Sequence, residues 1–226
     1  MPKPPRRRAE PLTEATELRI VGGRFRGRKL RHEPFRDGED LLVTRPMKHR
    51  LRETIFNLVS VGAQGRHAID LFAGTGALGL EALSRGSSHA TFIERHVPTA
   101  RVIEENIRSL GVEEQTTLLT TSAFLWGKRD IAKAESESLS IGSPLLAPWL
   151  VFCSPPYDFF VDRLNDMLAL IAAVMQAAPS SSIVVVEADE RFDFTALPGG
   201  DRAEGWDVRP YAPAVVGVWW KAASLE

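Results

Sequence analysis

Asp70-Leu-Phe-Ala-Gly-Thr-Gly76 is the stretch that decides the fold of this chain. It reads as a strand end running into a glycine turn that opens a helix. Gly74, Gly76 and Gly79 fit G-x-G-x-x-G, whose physical content is a tight turn that lets backbone N–H groups approach a ligand at a helix N-terminus. That pattern alone indicates only a nucleotide-like ligand. Asp70 narrows it, because a carboxylate entering the turn repels a pyrophosphate but pairs with the ammonium of an amino-acid moiety, as in S-adenosylmethionine. Glu94, at the end of the next strand, is placed to accept two hydrogen bonds from ribose hydroxyls, a role that dinucleotide folds share. Ser122, after the third strand, is placed to meet an adenine amino group, or is an ordinary loop serine.

Outward from this turn the pattern alternates. Strands are expected at 68–72, 89–94, 116–120, 149–153 and 181–187, with helices at 77–85, 97–109 and 161–177, which makes parallel β-α-β units in a layered α/β sheet. Asp207 to Tyr211 and Val215 to Lys221 read as an antiparallel hairpin closing the sheet. The polar, Ser-rich residues 127–147 read as a surface loop with at most one helical turn. Upstream, Leu18 to Val21 and Arg24 to Leu30 read as two short strands joined at Gly22-Gly23, projecting arginines on one face. Thr44 then caps a helix over Arg45 to Val59, with Pro46 in its first turn and Leu51, Ile55, Leu58 and Val59 on its apolar side. The domain plan is a disordered tail (1–17), a basic hairpin and helix (18–60), and the main α/β domain (61–226).

A second stretch, Cys153-Ser-Pro-Pro-Tyr157, ends the 149–153 strand and supplies the chemistry. An exocyclic amine on a base is a poor nucleophile because its lone pair is delocalised into the ring. Accepting its two N–H groups, one at Ser154 Oγ and one at the Pro155 carbonyl, favours a pyramidal nitrogen whose lone pair points at a sulfonium methyl. Pro155 and Pro156 fix the backbone so that a carbonyl faces the site, and Tyr157 can stack on a base held out of its helix. No strong general base is demanded, since the proton can leave after transfer. Cys153 reads as core, with no histidine partner nearby in sequence.

The 226 residues, 44% of them hydrophobic, suffice for one full core and an appendage. The longest apolar run, Met167 to Met175, is too short to cross a bilayer, and Met1 to Glu10 has no apolar stretch that would make a secretory signal. One cysteine excludes an internal disulfide, and no Cys/His cluster has zinc-ligand spacing, so no metal is expected. The net charge of -1 hides a division: residues 1–52 hold fifteen Lys/Arg against seven Asp/Glu, and the rest is acidic. A basic arm on an acidic body fits a polyanionic partner. For Met1 to Thr16 a solubilising tail is the simpler reading.

Four segments together resemble one family: Leu18-Arg-Ile-Val-Gly-Gly-Arg-Phe-Arg-Gly-Arg-Lys-Leu30, Thr44-Arg-Pro through Arg52-Glu-Thr-Ile-Phe-Asn57, Asp70 to Glu81, and Ser154 to Tyr157. From Leu18 onward the chain is similar to the bacterial 16S rRNA guanine-N2 methyltransferases of the RsmD (YhhF-like) type. The resemblance implies a class I S-adenosylmethionine-dependent methyltransferase: a Rossmann-like sheet with an antiparallel C-terminal hairpin and a basic N-terminal extension. It implies S-adenosylmethionine as cofactor and 16S rRNA as substrate, within an assembled small subunit, for a cytoplasmic monomer with no membrane partner. The expected catalytic residues are Ser154, Pro155, Pro156 and Tyr157. Those expected to hold the cofactor are Asp70, Phe72, Gly74, Thr75, Gly76, Glu94, Ser122 and Ala123. RNA contact is expected at Arg24, Arg26, Arg28, Lys29, Arg45, Lys48, Arg50 and Arg52. Three positions depart from the family: Ser154 stands where Asn or Asp is usual, Ser122 where Asp is common, and Met47-Lys48-His49 replaces Thr-Ser/Thr-Asp. Serine before Pro-Pro occurs in similar enzymes acting on the N4 amine of cytosine. Methylation of another base or of DNA, an RNA-binding protein with a degraded site, and an NAD-dependent oxidoreductase are the alternatives.

Overall fold

Five parallel strands carry the architecture: β1 (His67–Asp70), β2 (His89–Ile93), β3 (Thr116–Leu119), β4 (Trp149–Cys153) and β5 (Ile183–Asp189). The computed structural model describes residues 17–32, 49–136, 147–199 and 205–223. Two further strands, β6 (Asp207–Tyr211) and β7 (Ala214–Trp220), complete a seven-stranded sheet in the order β3-β2-β1-β4-β5-β7-β6, with β7 antiparallel to both neighbours. Every residue of β1 and β4 is buried, as expected of parallel strands covered on both faces. On one face lie α1 (His49–Val59), α2 (Ala77–Ser84) and α3 (Val97–Leu110), in one apolar cluster with Ala68, Leu150, Phe152 and Val185. On the other lie α4 (Ala123–Ser136), the short α5 (Phe159–Asp162) and α6 (Leu164–Ala177), packed on Ile69, Val151, Val184 and Val186. The strand order reverses between β1 and β4, and open α/β sheets form their ligand crevice at such a point, at the carboxyl ends of the strands.

Three expectations need correction. The first is the surface loop at 127–147, because α4 runs through Ser136. Ala123, Phe124, Gly127 and Ile131 are buried at helical spacing, and the polar Lys128-Arg129-Asp130 form its wet side. Gly127 is the contact point: a Cβ there would lie 2.6 Å from Leu170 Cδ1 on α6. Residues 137–146 lie outside the described residues, as do 1–16, Thr44, Arg45, Pro46 and Lys48.

The second is the N-terminal hairpin. Ile20 and Leu18 pair with Arg28 and Leu30 through backbone bonds of 3.0 and 2.8 Å, but Gly23–Phe25 forms a 3-10 turn instead of beginning a strand. The Phe25 N–H donates to Ser84 Oγ at 2.9 Å, and Gly23 sits with φ 73° so close to α2 that a Cβ would meet the Ser84 carbonyl at 1.9 Å. The arginines therefore do not line one strand face. Arg24 donates to Gln115, just before β3, and Arg28 to the Ser109 carbonyl in the last turn of α3. Both acceptors lie toward the amino edge of the sheet, away from the glycine turn.

The third is Arg52, which is wholly buried and cannot touch RNA. It donates to the Arg19 carbonyl and lies 3.6 Å from Glu81, itself wholly buried on α2. Glu81 also accepts the N–H groups of Val21 and Gly22, each at 2.7 Å, and Arg85 Nε at 2.8 Å. One carboxylate thus fastens the N-terminal arm and α1 to the helix that follows the glycine turn.

Removing one partner of a buried pair strands the others in a dry site, at a cost of about 3–5 kcal/mol. Glu81→Ala is expected to lose stability on that scale in urea unfolding, and to expose Arg24 and Arg26 to trypsin under native conditions.

Candidate active site

Register brings the two motifs together. Asp70 pairs with Phe152, and the Leu71 N–H donates to the Phe152 carbonyl at 3.0 Å, so the glycine turn leaves β1 beside the point where β4 runs into Ser154. Asp70 is buried at the end of β1. Its Oδ2 accepts the Gly79 N–H at 3.3 Å, while Oδ1 is buried without a partner among the described residues. Burial, opposed by the Gly79 bond, raises the Asp70 pKa from 3.8 to about 7. An under-satisfied buried carboxylate of this kind fits an incoming ammonium, which supplies both the missing donor and the missing charge.

The turn is shaped for close approach. Gly74 and Gly76 have φ of 52° and 76°, and Gly76 caps α2 in the left-handed region that glycine adopts without strain. Thr75 is tied down through its carbonyl by Asn106 Nδ2 at 3.0 Å. Glu94 stands across the turn, with its two oxygens accepting the N–H groups of Gly74 and His96 at 3.0 and 2.8 Å. A carboxylate offers about four acceptor sites, so this fixed Glu94 retains capacity for ribose hydroxyls. Ser122 and Ala123 follow β3, where the Ser122 carbonyl accepts the Trp126 N–H at 2.9 Å and starts α4. Phe72 leaves the crevice floor to pack edge-on against Phe124 and Phe159, each at 6.0 Å between centroids. The Arg163 guanidinium lies 4.0 Å over the Phe124 ring. These contacts lock together the glycine turn, the start of α4 and the segment after Tyr157. Phe124, Phe159 and Arg163 were not singled out from sequence.

At the reacting corner Pro155 is buried and Pro156 exposed. The Pro156 carbonyl accepts the Phe159 N–H at 2.9 Å and is committed to the start of α5. Ser154 Oγ donates to Glu187, and the Tyr157 hydroxyl donates to the same carboxylate at 2.6 Å. Sequence reasoning missed Glu187. Its signal was an acid two residues before Asp189, at the carboxyl end of the apolar run Ile183-Val-Val-Val-Glu-Ala-Asp189. Cys153 is buried and its thiol pKa pushed up by burial, as a core residue and not a nucleophile. Among the described residues no group of three His, Cys, Asp or Glu is placed to hold a metal ion. Of the expected RNA-contact residues, Arg24, Arg26, Arg28, Lys29 and Arg50 are exposed, with Lys29 paired to Glu17.

A 3-2-1-4-5-7-6 sheet with an acidic glycine turn after β1 and a Pro-Pro-Tyr corner after β4 defines a class I methyltransferase fold. The sequence profile described as Conserved hypothetical protein 95 matches residues 18–202, and the chain belongs to that family, the RsmD family. The Bacillus subtilis protein named "Putative rRNA methyltransferase YlbH" is 26% identical over 182 residues, covering 80% of this chain and 88% of the relative. Ribosomal RNA small subunit methyltransferase D of Escherichia coli is 43% identical over 94 residues, 42% of this chain and 44% of that enzyme. In three dimensions the chain is similar to the structure described as "Putative methyltransferase yhhF from Escherichia coli", with a TM-score of 0.65 and 24% identity over 92% of this chain and 99% of the other.

If Asp70 holds the cofactor's ammonium, its raised pKa predicts pH-dependent binding. Below its raised pKa the carboxyl is neutral and cannot pair with an ammonium, so affinity for S-adenosylmethionine should rise from about pH 5.5 to about 7.5. The ligand-free protein should do the opposite. Its folded state holds a proton that the unfolded chain releases near the ordinary value, so its stability falls as pH rises from about 4 to about 7 and levels off above that. Equilibrium binding of labelled cofactor across this range, with Asp70→Ala expected to abolish it, checks the assignment.

Proposed function

We propose that this chain transfers the methyl group of S-adenosylmethionine to the exocyclic N2 amine of a guanine in 16S rRNA. It acts as a cytoplasmic monomer on an assembled small ribosomal subunit. The observation that carries this reading is that a half-satisfied buried Asp70 and the Ser154–Pro155 acceptor pair end neighbouring strands at one carboxyl edge. The likeness to the E. coli small-subunit rRNA enzyme supports the substrate class. When bound, the cofactor supplies an electrophilic methyl group on a sulfonium. Asp70 holds its ammonium, the backbone of Gly74 and Gly76 lines its path, and Glu94 takes the ribose hydroxyls. Ser154 Oγ and the Pro155 carbonyl accept the two amine N–H groups, which turns the nitrogen lone pair outward. Tyr157 and the aromatic wall of Phe72, Phe124 and Phe159 keep the crevice dry.

Basic residues meet the substrate at two levels. α1 runs antiparallel to the strands: its far end gives way to Gly62, which packs on Ile183 at the start of β5, and Phe56 packs on Phe152 near the end of β4. Its beginning, with exposed Arg50, therefore reaches toward the catalytic edge. Arg45 and Lys48 precede it in sequence. Arg24, Arg26 and Arg28 engage RNA remote from the reacting base. Among the described residues no helix is long and apolar enough to cross a membrane.

Incubation with hypomethylated small subunits and methyl-labelled S-adenosylmethionine should place label in 16S rRNA, on a guanine by nucleoside mass spectrometry. Label on cytosine N4 would reassign the base, and RNA binding without label would leave an RNA-binding protein with a degraded site. Changing Arg24, Arg26 and Arg28 together to Gln should weaken RNA binding and lower its log–log salt slope by about two. An unaltered slope would remove this turn from the interface.

A further inference from the structure

We propose that Glu187 is a positioning residue for the transfer: it turns the Ser154 hydroxyl hydrogen out of the crevice and receives, through that hydroxyl, the proton released by the methylated amine. This rests on the methyltransferase reading above and adds a residue to it.

The placement follows from strand pairing. Cys153 pairs with Val186, so the next residues, Ser154 and Glu187, face each other where β4 leaves the sheet. Ser154 Oγ donates to one oxygen of Glu187, and the Tyr157 hydroxyl to the other at 2.6 Å. A serine hydroxyl has one hydrogen and two lone pairs. With that hydrogen committed to Glu187, the oxygen meets an amine N–H only as an acceptor. A carboxylate or an amide oxygen at this position is an acceptor by construction, whereas serine is ambivalent unless a neighbour fixes its rotor. Glu187 does so, and Tyr157 holds the carboxylate in place. Burial also raises the Glu187 pKa, against the opposing effect of its two hydroxyl donors, which favours it as a proton acceptor. Asp189 on β5 also acts on Tyr157, while Asp70 on β1 and Glu187 both act on the buried Cys153 thiol beside the cluster. Asp189 is paired with Arg191, which also binds Asp158, and β7 opposes Glu187 with Val216.

The step balances without another reactant. The amine nitrogen bonds to the methyl carbon as the carbon–sulfur bond breaks, and that electron pair stays on sulfur as a neutral thioether. The nitrogen, now positive, gives one N–H proton to Ser154 Oγ while the Ser154 hydroxyl proton passes to Glu187. The products are a neutral methylated amine and a Glu187 carboxylic acid, which loses its proton to solvent through half-exposed Ser154 before the next turnover.

The test uses full-length protein, small subunits and labelled S-adenosylmethionine. Glu187→Gln should lower kcat about tenfold to a hundredfold, with KM for S-adenosylmethionine within about twofold. In a Ser154→Ala background the same change should cost less than about twofold, because the path to the amine is already cut. A second readout needs no substrate. The chain has two tyrosines, and the Tyr157 phenol is held above its ordinary pKa by burial and then by Glu187. Ultraviolet titration of Glu187→Gln should therefore show one phenol ionising at lower pH. If Glu187→Gln does not fold, Glu187→Asp, too short to reach both hydroxyls, should show the same kcat loss. Wild-type kcat in the substituted protein, additive losses with Ser154→Ala, or an unmoved phenol titration would each overturn the proposal. A shifted titration in a protein whose wild type transfers no label would instead condemn the methyltransferase reading and leave the tether standing.

Discussion

The parallel register of β1, β4 and β5 is the constraint on which the site depends. Asp70 beside Phe152, and Cys153 beside Val186, put Asp70, Ser154 and Glu187 in a stepped row on the sheet face that carries Ala68, Phe152 and Val185. Strand side chains alternate faces, so a slip of one residue in either pairing would send a member of that row to the opposite face. Such a slip is prevented by burial on both sides, because every residue of β1 and β4 is packed and a slip in β1 alone would set His67 and Ile69 where Ala68 and Asp70 now pack. Chemistry at the carboxyl edge is in this sense a consequence of core packing below it.

Among the described residues that same face buries three carboxylates, and each meets its desolvation differently. Glu81 is met by two backbone N–H groups and two arginines, which makes it a structural clasp. Glu187 is met by two neutral hydroxyls, which leaves its charge uncompensated but its lone pairs engaged. Asp70 has the long Gly79 bond on one oxygen, while the other meets no donor within full hydrogen-bond geometry among the described residues. Buried charges are tolerated when paired, so the order Glu81, Glu187, Asp70 runs from satisfied to waiting. The waiting one lies beside the glycine turn, where the proposed cofactor would bring a cationic partner.

Much of this was legible in the sequence because it is local. A glycine turn between an apolar strand and a helix, and a Pro-Pro corner after a second strand, report their own backbone geometry, and the alternation between them orders the sheet. What the sequence hid is non-local. Arg52 reads as one more cation in a basic arm, and only the approach of α1 to α2 shows that Glu81 has claimed it. Phe25 cannot continue a strand because Ser84, 59 residues away, captures its N–H. The helix at 123–136 was obscured by its own wet face, since Lys128, Arg129 and Asp130 stand together while Phe124, Gly127 and Ile131 alternate with them. Glu187 was the inner of two acids at the end of an apolar strand, a signal with no meaning until Ser154 is set opposite.

Division of the basic surface between two edges bears on what kind of RNA can be bound. The four-residue strands of β1 and β3 alone separate Asp70 from the level of Gln115 by about 10 Å, and Arg24 reaches outward from the lower level. A single extended strand threading the catalytic crevice would leave the 3-10 turn without phosphates to meet. A folded RNA that offers one base at the crevice and a second stretch of backbone along α2 and α3 would meet both. Screening over about 8 Å at physiological salt makes the two clusters electrostatically independent, so each must find its own phosphates. On the proposed reading, a structured RNA would use both clusters, and the clasp at Glu81 fixes the arm against the helix that follows the glycine turn.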